Sequence, residues 1–350
     1  MRYLFYIVHP SKFHLFKFTI NELKRNNTVD IVINSKDVLE DLIIKEGWNY
    51  HNIFPDGRNK SKKPSIVKSG VNFLLTIFKL EKFLFRNEKY DLFITDDSLV
   101  VNAWFRRKKS YLFCDNDIKT IKVNKVLFYF ASKIITPNST DIGKFSNKQI
   151  SFKGNKAVAH LHPNYFIPSN HTLKKYNLIE YEYCVIRLSH LNATHDIDNN
   201  KGITNKNLKG ILDLVENKYK VIILSEREIP TYAKGMLYNG DSMDIKDLLS
   251  FSKFIISDSG TMASEAAILG TPNILINKLA KDIGVHRELK QAKLQLYFNS
   301  FSESISSINM FINNDTLIEE CKRNRKRYIE KCDDLNKLLI ENFTKGEIQN

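Results

Sequence analysis

Short runs of apolar, β-branched or aromatic residues alternate with helix-like segments along nearly all of this 350-residue chain. RYLFYIV and YDLFITDD are examples from the first half, and YCVIRL and FIISDS are their counterparts in the second. Strands of this kind have no polar face, which indicates parallel sheets covered by helices on both sides. The sequence therefore predicts an α/β fold built from doubly wound sheets.

The alternation is interrupted once, at the turn-rich stretch HPNYFIPSNHT. A chain of this length rarely builds a single core. We therefore predict an N-terminal Rossmann-like domain at 1–165, a C-terminal Rossmann-like domain at 172–315, and a bracing helix and tail at 316–350. Parallel sheets bind ligands beyond the carboxyl ends of their strands, so two such domains that face each other would form an interdomain cleft.

Composition excludes several classes of protein. With 43% hydrophobic and 26% charged residues, the chain fits a globular protein rather than a disordered or fibrous one. The four cysteines lack the short paired spacings of disulfide frameworks and zinc sites, so we expect neither of these and a reducing compartment. We also expect no metal and no cofactor. The first apolar run ends at His9, too early for a secretion signal, and no stretch approaches about 18 uncharged apolar residues. We therefore expect a cytoplasmic protein.

The net charge of +14 is concentrated in the first half of the chain. Residues 1–170 contain 28 Lys and Arg against 15 Asp and Glu, whereas the remaining 180 contain 25 against 24. Part of the basic excess adjoins the apolar run VNFLLTIF. This pattern suits a polyanion or an anionic membrane surface, which for a cytoplasmic protein is the inner face of the plasma membrane, and a solvated lysine-rich surface is the alternative. Nucleic acid is the less favoured partner because no recognisable binding module is present.

The most informative motif is FIISDSGTMASEAAILGTPNILI at 254–276. A buried strand is followed by a tight turn and a helix of small residues, and free N–H groups at such a helix start bind anions. Glu265 lies one helical turn after Thr261, where its carboxylate could accept hydrogen bonds from ribose hydroxyls. The motif predicts a nucleotide-diphosphate site made by Asp258, Ser259, Gly260, Thr261 and Glu265, although any strand-turn-helix needs a glycine and a cap.

This segment resembles the donor-binding segment of nucleotide-sugar enzymes with the two-domain GT-B fold, in particular the UDP-N-acetylglucosamine 2-epimerases and the related domain-of-unknown-function 354 family. The resemblance to the latter covers nearly the whole chain and includes HPSKFHLFK, YLFCDND, KGNKAVAHLHPNYFIP and GVHRELKQAKLQLYF. It implies a GT-B-like fold with two doubly wound Rossmann-type domains, and a nucleotide-sugar ligand used in cell-surface polysaccharide or lipopolysaccharide assembly.

Further candidate residues lie at predicted strand ends. Arg187 could hold a diphosphate, and His195 could orient a phosphate or act on the sugar. The alternative is that Arg187 forms a structural ion pair and that His195 caps a turn. His9 follows the first strand, where an imidazole could serve as a base. The resemblance adds Glu226 as a contact to the base or ribose. It also implies proton transfer by acidic residues, for which Asp97 and Asp115 are the candidates.

Three functions remain open. A GT-B glycosyltransferase would use a nucleotide-sugar donor, a glycan or lipid-linked acceptor, and Asp97 or Asp115 as base, and the basic first half favours this function. A UDP-N-acetylglucosamine 2-epimerase-like enzyme, hydrolysing or not, needs no acceptor and is the alternative. A noncatalytic polyanion-binding protein is the third.

Overall fold

The computed structural model of the protein describes residues 1–34, 38–57, 66–87, 89–121, 124–190 and 202–345. These residues form two compact units, Met1–His160 with Asp333–Asn350, and Leu161–Cys332. We call them unit 1 and unit 2. The first boundary lies a few residues before the predicted linker. The predicted bracing segment at 316–350 is divided between the two units because its helix is interrupted before Asp334.

Unit 1 contains a seven-stranded sheet in which every pair of neighbours is parallel. Its strands are β1 (Arg2–Ile7), β2 (Thr28–Ile33), β3 (His51–Asn52), β4 (Leu92–Thr95), β5 (Lys109–Phe113), β6 (Lys133–Pro137) and β7 (Gln149–Phe152). Its helices are α1 (Pro10–Leu23), α2 (Leu39–Lys45), α3 (Ile66–Arg86), α4 (Leu99–Phe105), α5 (Leu127–Phe130) and α6 (Val158–Leu161), which ends at the boundary with unit 2.

The strand order of this sheet is β3-β2-β1-β4-β5-β6-β7. The chain therefore moves in one direction from β1 to β3 and in the other from β4 to β7. The point of reversal lies between β1 and β4, which pair from Tyr3–Leu92 to Tyr6–Thr95. In open parallel sheets this is where the carboxyl ends of the strands leave a crevice for ligands.

Unit 2 contains a five-stranded parallel sheet in the order β12-β11-β10-β8-β9. Its strands are β8 (Tyr183–Leu188), β9 (Lys220–Ser225), β10 (Ile255–Ser257), β11 (Asn273–Ile276) and β12 (Leu296–Phe298). Its helices are α7 (His171–Lys175), α8 (Asn205–Val215), α9 (Ile245–Ser250), α10 (Gly260–Leu269), α11 (Gly284–Gln291), α12 (Phe301–Asn313) and α13 (Leu317–Ile329). The strand order reverses between β8 and β10.

The last helix, α14 (Leu335–Thr344), returns to unit 1. Asp334 caps it by accepting a hydrogen bond from the Lys337 N–H at 3.1 Å. Asn336 accepts a hydrogen bond from the Thr19 hydroxyl at 3.3 Å and donates one to the Ala159 carbonyl at 2.8 Å. Among the described residues, no helix combines the length and apolarity needed to span a membrane.

Candidate functional site

Polar residues follow three neighbouring strands of unit 1. His9 follows β1, Asp96 and Asp97 follow β4, and Asp115 follows β5. The pairing of β4 with both β1 and β5 brings these strand ends to one edge of the sheet. The chain therefore gathers an imidazole and three carboxylates around the reversal of strand order.

Two buried lysines complete this cluster. Asp115 Oδ2 lies 2.6 Å from Lys156 Nζ, and Asp115 Oδ1 lies 3.5 Å from Lys12 Nζ. The Lys12 ammonium also lies 4.5 Å from the centroid of the Phe113 ring, a cation–π contact. Both lysine side chains are about nine-tenths buried, because Lys12 lies on the inner face of α1 and Lys156 lies just before α6.

The cluster holds its two inner carboxylates in different protonation states. Burial raises the pKa of Asp96 to about 6, an effect that the charge of Lys12 opposes and that of Asp97 strengthens. Burial opposes ionisation of Asp115 as well, but Lys12 and Lys156 outweigh it and hold the pKa of Asp115 well below its usual range. Burial also favours neutral Lys12, yet the charges of Asp115 and Asp96 raise its pKa. Asp115 is thus a fixed anion, whereas Asp96 can exchange a proton near neutral pH.

A pocket of about 160 Å³ opens onto this cluster. Its polar lining includes Lys12, Asp96, Cys114 and Asp115, and apolar residues such as Phe128 line the remainder. Asp96 Oδ1 is buried and has no hydrogen-bond partner among the described residues. Burial raises the pKa of the Cys114 thiol to about 12, so it stays neutral. The pocket is therefore lined by a carboxylate whose buried Oδ1 has unused bonding capacity, next to a fixed charge pair.

The predicted residues of unit 1 are placed as follows. Asp115 lines the pocket, whereas Asp96 lines it in place of its predicted neighbour Asp97. Asp97 Oδ1 accepts a hydrogen bond from the backbone N–H of Ser98 at the start of α4. His9 caps α1, with Nδ1 accepting from the Ser11 N–H at 3.1 Å. The roles predicted for Asp97 and His9 stay predictions.

In unit 2, Arg187 and Glu226 form an ion pair between the ends of β8 and β9. Glu226 also accepts a hydrogen bond from the His190 N–H at 2.9 Å. The Arg187 Nε atom is buried and has no hydrogen-bond partner among the described residues. Glu226 therefore orients the guanidinium and leaves one of its donors available.

Asp258, directly after β10, fastens two backbone segments. Its Oδ1 accepts from the Ser189 N–H at 2.6 Å and its Oδ2 from the Ile203 N–H at 3.2 Å. Arg227 Nη2 lies 3.4 Å from the same Oδ2 and also donates to the Ile203 carbonyl. Burial raises the pKa of Asp258, although these donors oppose the shift. The carboxylate holds the chain on both sides of 191–201, and the direct ligand contact predicted for Asp258 stays a prediction.

The N-terminus of α10 lies against the imidazole of His286. A Cβ atom at Gly260 would lie 2.7 Å from His286 Nε2, so only glycine fits the present packing. His286 Nδ1 lies 2.8 Å from Gln295 Oε1, and Gln295 Nε2 donates to Asn273 Oδ1 at 3.2 Å. Asn273 in turn donates to two backbone carbonyls. This order of donors assigns the proton to Nδ1 and directs Nε2 toward Gly260.

The other predicted residues of α10 stay predictions as ligand contacts. Ser259 is the N-cap, and its hydroxyl accepts from the Met262 N–H at 3.5 Å. Thr261 lies in the first turn, whereas Glu265 is buried one turn later with 9% of its surface exposed. His195 lies outside the described residues. No group of three His, Cys, Asp or Glu side chains that could bind a metal is found within the described ranges.

Sequence reasoning missed Lys12, Lys156, Arg227 and His286 as site residues. Each lies in or beside a stretch that carries the family resemblance, such as HPSKFHLFK or KGNKAVAHLHP. Nothing in the spacing of Lys12 and Lys156 indicates that both pair with Asp115. The sheet brings the three together across more than a hundred residues of chain.

Comparison with known proteins identifies the family and the fold of the chain. The family model described as "Protein of unknown function (DUF354)" matches residues 80–346. The "Uncharacterized protein MJ0665" of Methanocaldococcus jannaschii is 25% identical over 193 residues. That alignment covers 53% of this chain, and the chain spans about half (56%) of the length of this curated relative.

UDP-GlcNAc 2-epimerases predominate among the similar solved structures. That of Neisseria meningitidis, bound to UDP-GlcNAc, is 14% identical with a TM-score of 0.65, and the match covers 99% of this chain and 100% of that one. The glycotransferase of kitacinnamycin is 10% identical with a TM-score of 0.62, over 97% of this chain and 98% of the other. The predicted α/β, GT-B-like fold is thus confirmed over the full length, and the chain belongs to the DUF354 family.

Proposed function

We propose that the protein is a nucleotide-sugar enzyme of the 2-epimerase type, in which unit 2 binds the nucleotide diphosphate and unit 1 transfers a proton at the sugar. The observation that carries the proposal is the pair of carboxylates Asp96 and Asp115. They share one sheet edge and one pocket, and their pKa values are shifted in opposite directions. Such a separation is typical of sites that run acid–base chemistry near neutral pH.

The reaction needs a base for the C2 proton of the sugar. As ionised Asp96 takes this proton, the C1–O bond breaks and its electron pair leaves with the nucleotide diphosphate, so that a C1–C2 double bond forms. Water gives a proton to the opposite face of C2 as the diphosphate adds again at C1, which yields the epimer, and the proton held by Asp96 passes to the hydroxide that is left. A base with a pKa of about 6 is suited to this exchange, because both of its forms are accessible near neutral pH.

The two lysines would set the charge states of the neighbouring carboxylates and would not transfer the sugar proton themselves. Lys12 and Lys156 keep Asp115 ionised, so this carboxylate can accept hydrogen bonds from the sugar hydroxyls. Lys12 also lowers the pKa of Asp96 from the value that burial alone would give. The cluster would therefore orient the sugar and tune the base together.

The nucleotide diphosphate would be held in unit 2. The free N–H groups at the start of α10 and its positive dipole end suit a phosphate. The His286 imidazole lies against Gly260 at this helix start, and Arg187 offers an unused donor at the adjacent strand. The UDP-GlcNAc bound to the Neisseria meningitidis enzyme supports a uridine nucleotide as the first ligand to test.

The test is incubation of the purified protein with UDP-GlcNAc alone in deuterated water. We expect the manno epimer, or its free sugar with UDP, to form with deuterium at C2, as read by NMR. Asp96→Asn should lower the rate by at least about 100-fold while UDP affinity in calorimetry stays unchanged. Asp213→Asn, an exposed aspartate of unit 2, is the matched control and should react like the wild type.

A glycosyltransferase is the second candidate, favoured by the similarity to the kitacinnamycin glycotransferase and by the basic first half of the chain. In that case Asp96 would take the proton of an acceptor hydroxyl. UDP-GlcNAc would then stay unchanged alone, without deuterium at C2, and would be consumed only when a glycan or lipid-linked acceptor is added. Failure of all nucleotides to bind would reject both functions.

A further inference from the structure

Helix α3 is apolar on two opposite faces. Leu80 and Leu84 pack into the core of unit 1. On the opposite face, exposed apolar side chains follow the spacing of one helical stripe and are Val71, Leu74, Leu75, Phe78 and Phe85. Phe78 and Phe85 expose 68% and 82% of their surface. An exposed apolar stripe of this kind lowers the solubility of a protein unless another surface covers it.

The stripe continues onto neighbouring elements of the same unit. The Arg106 guanidinium, just after α4, lies 5.9 Å from the ring centroid of Phe85. Trp104 and Phe105, the last residues of α4, contact each other edge to face and expose 53% and 66% of their surface. Trp104 also contacts Phe130 of α5. We call Phe78, Phe85, Trp104 and Phe105, with the other exposed apolar residues of α3, the aromatic face.

Basic residues accompany the aromatic face. Lys82 and Arg86 are exposed and share its helical stripe, since they follow Phe78 by four and eight residues. Glu81, at the edge of the stripe, is neutralised by its ion pair with Arg106. This distribution agrees with the basic charge of residues 1–170, which contain 28 basic and 15 acidic residues.

We propose that the aromatic face docks unit 1 on an anionic phospholipid bilayer, with α3 lying in the plane of the membrane surface. Aromatic and aliphatic side chains would enter the interface while Lys82 and Arg86 contact lipid phosphates. This combination is typical of helices that lie on membranes. No described helix can span a bilayer, so the protein would bind reversibly as a peripheral protein. A protein partner for the same face is the competing occupant.

The aromatic face contains its own reporter. The chain has two tryptophans, and Trp48 is buried with 6% exposed whereas Trp104 is half exposed. Docking should therefore shift the emission of Trp104 to shorter wavelength, and Trp104→Phe should remove the shift. Trp48 would not produce this shift, because it is already shielded from water.

The experiment is binding of the full chain to vesicles of phosphatidylglycerol and phosphatidylcholine in equal parts, compared with phosphatidylcholine alone. We expect binding to the anionic vesicles only, weakened by salt. Phe78→Ser with Phe85→Ser should weaken it by at least about tenfold. Lys82→Gln and Arg86→Gln should each weaken it by about fivefold. Ile167→Ser with Ile179→Ser, which removes two similarly exposed residues of unit 2, is the matched control.

Absence of binding to anionic vesicles, or equal binding by the Phe78→Ser/Phe85→Ser variant and the wild type, would overturn the proposal. A self-association in sedimentation velocity that this variant abolishes, without vesicle binding, would assign the face to a second copy of the chain instead. The result does not depend on the proposed function, because UDP affinity of the same variants is measured separately and should equal that of the wild type.

Discussion

Asp96 and Asp115 show how neighbouring carboxylates acquire different chemistry from their surroundings. Both follow strands of the same sheet and both line the same pocket. Asp115 lies within 3.5 Å of two ammonium groups and stays ionised. Asp96 Oδ1 is buried with no hydrogen-bond partner among the described residues, and the pKa of this group rises to about 6. Charge placement therefore makes Asp96, and not Asp115, the carboxylate that can exchange a proton near neutral pH.

The pH dependence of the proposed reaction should follow the pKa of Asp96. If ionised Asp96 is the base, kcat/KM falls as the pH drops through about 6. Asp97→Asn removes a like charge that raises this pKa, so the acidic limb should move to lower pH. Lys12→Gln removes a charge that lowers it, so the limb should move to higher pH. The measurement is kcat/KM against pH, together with a ¹³C-carboxyl titration by NMR.

The control is Asp56→Asn, which replaces an exposed aspartate of unit 1 and should leave the acidic limb of the kcat/KM profile at the same pH. Shifts in the same direction for Asp97→Asn and Lys12→Gln would contradict the assignment, because a general loss of structure moves both alike whereas charge effects have opposite signs.

Glycine determines both ends of helix α10. Gly270 ends the helix in the left-handed region with φ 81°, and Arg325 donates from Nε to the Ile268 carbonyl at 2.7 Å. Gly260 begins it where the imidazole of His286 approaches. Ala263, Ala266 and other small buried residues between them let the helix pack closely on the sheet. The sequence LGTP predicts the helix end, whereas the approach of His286 requires the fold.

The variant Gly260→Ala tests two properties of this helix start, its contribution to stability and its contribution to UDP binding. The added methyl group must displace His286, so we expect the free energy of unfolding to fall by about 1–3 kcal/mol. UDP affinity should fall by at least about tenfold, because the phosphate would meet the methyl group or the displaced imidazole. Calorimetry and denaturant unfolding measure the two effects. Gly235→Ala, where a Cβ meets nothing within 4 Å, is the control, and wild-type UDP affinity in Gly260→Ala would reject this nucleotide site.

The strands and the motif of α10 could be predicted because their signal is local. Apolar runs such as YDLFITDD encode β4, and SDSGT encodes the turn before α10. The confirmed family resemblance extended this local signal to the fold of the whole chain. The cluster around Asp115 could not be predicted, since Lys12 and Lys156 approach it only through the order of the strands. The sequence likewise does not show which of Asp96 and Asp97 lines the pocket, because this depends on which carboxylate accepts the hydrogen bond from the Ser98 N–H.

At the scale of the whole molecule, the chain leaves unit 1 at His160, builds unit 2, and returns at Asp333. Asp333 marks the return, since its N–H donates to the Lys153 carbonyl at 3.0 Å and its carboxylate accepts from the Lys153 N–H at 2.8 Å. The helix that follows packs on α1 and on the sheet of unit 1. Unit 1 is therefore completed only by the end of the chain, whereas unit 2 is continuous in sequence.

This topology predicts that a destabilising substitution in α14 lowers the local stability of unit 1 and leaves that of unit 2 unchanged. Phe343 is buried and contacts the rings of Phe5 and Tyr111, with centroids 6.2 and 5.1 Å apart. Phe343→Ala should lower the free energy of opening of β1 and β5 by about 3–5 kcal/mol, because it leaves a cavity beneath the sheet. Hydrogen exchange measured strand by strand should show no change in unit 2.

Phe311→Ala supplies the reverse experiment. Phe311 is buried in unit 2 against Phe254, with ring centroids 6.1 Å apart. This variant should lower protection in β8 and β10 by a similar amount and leave β1 and β5 unchanged. Equal loss of protection in both units for either variant would mean that the chain opens as one cooperative body. The return of α14 would then be a detail of connectivity rather than the element on which the stability of unit 1 depends.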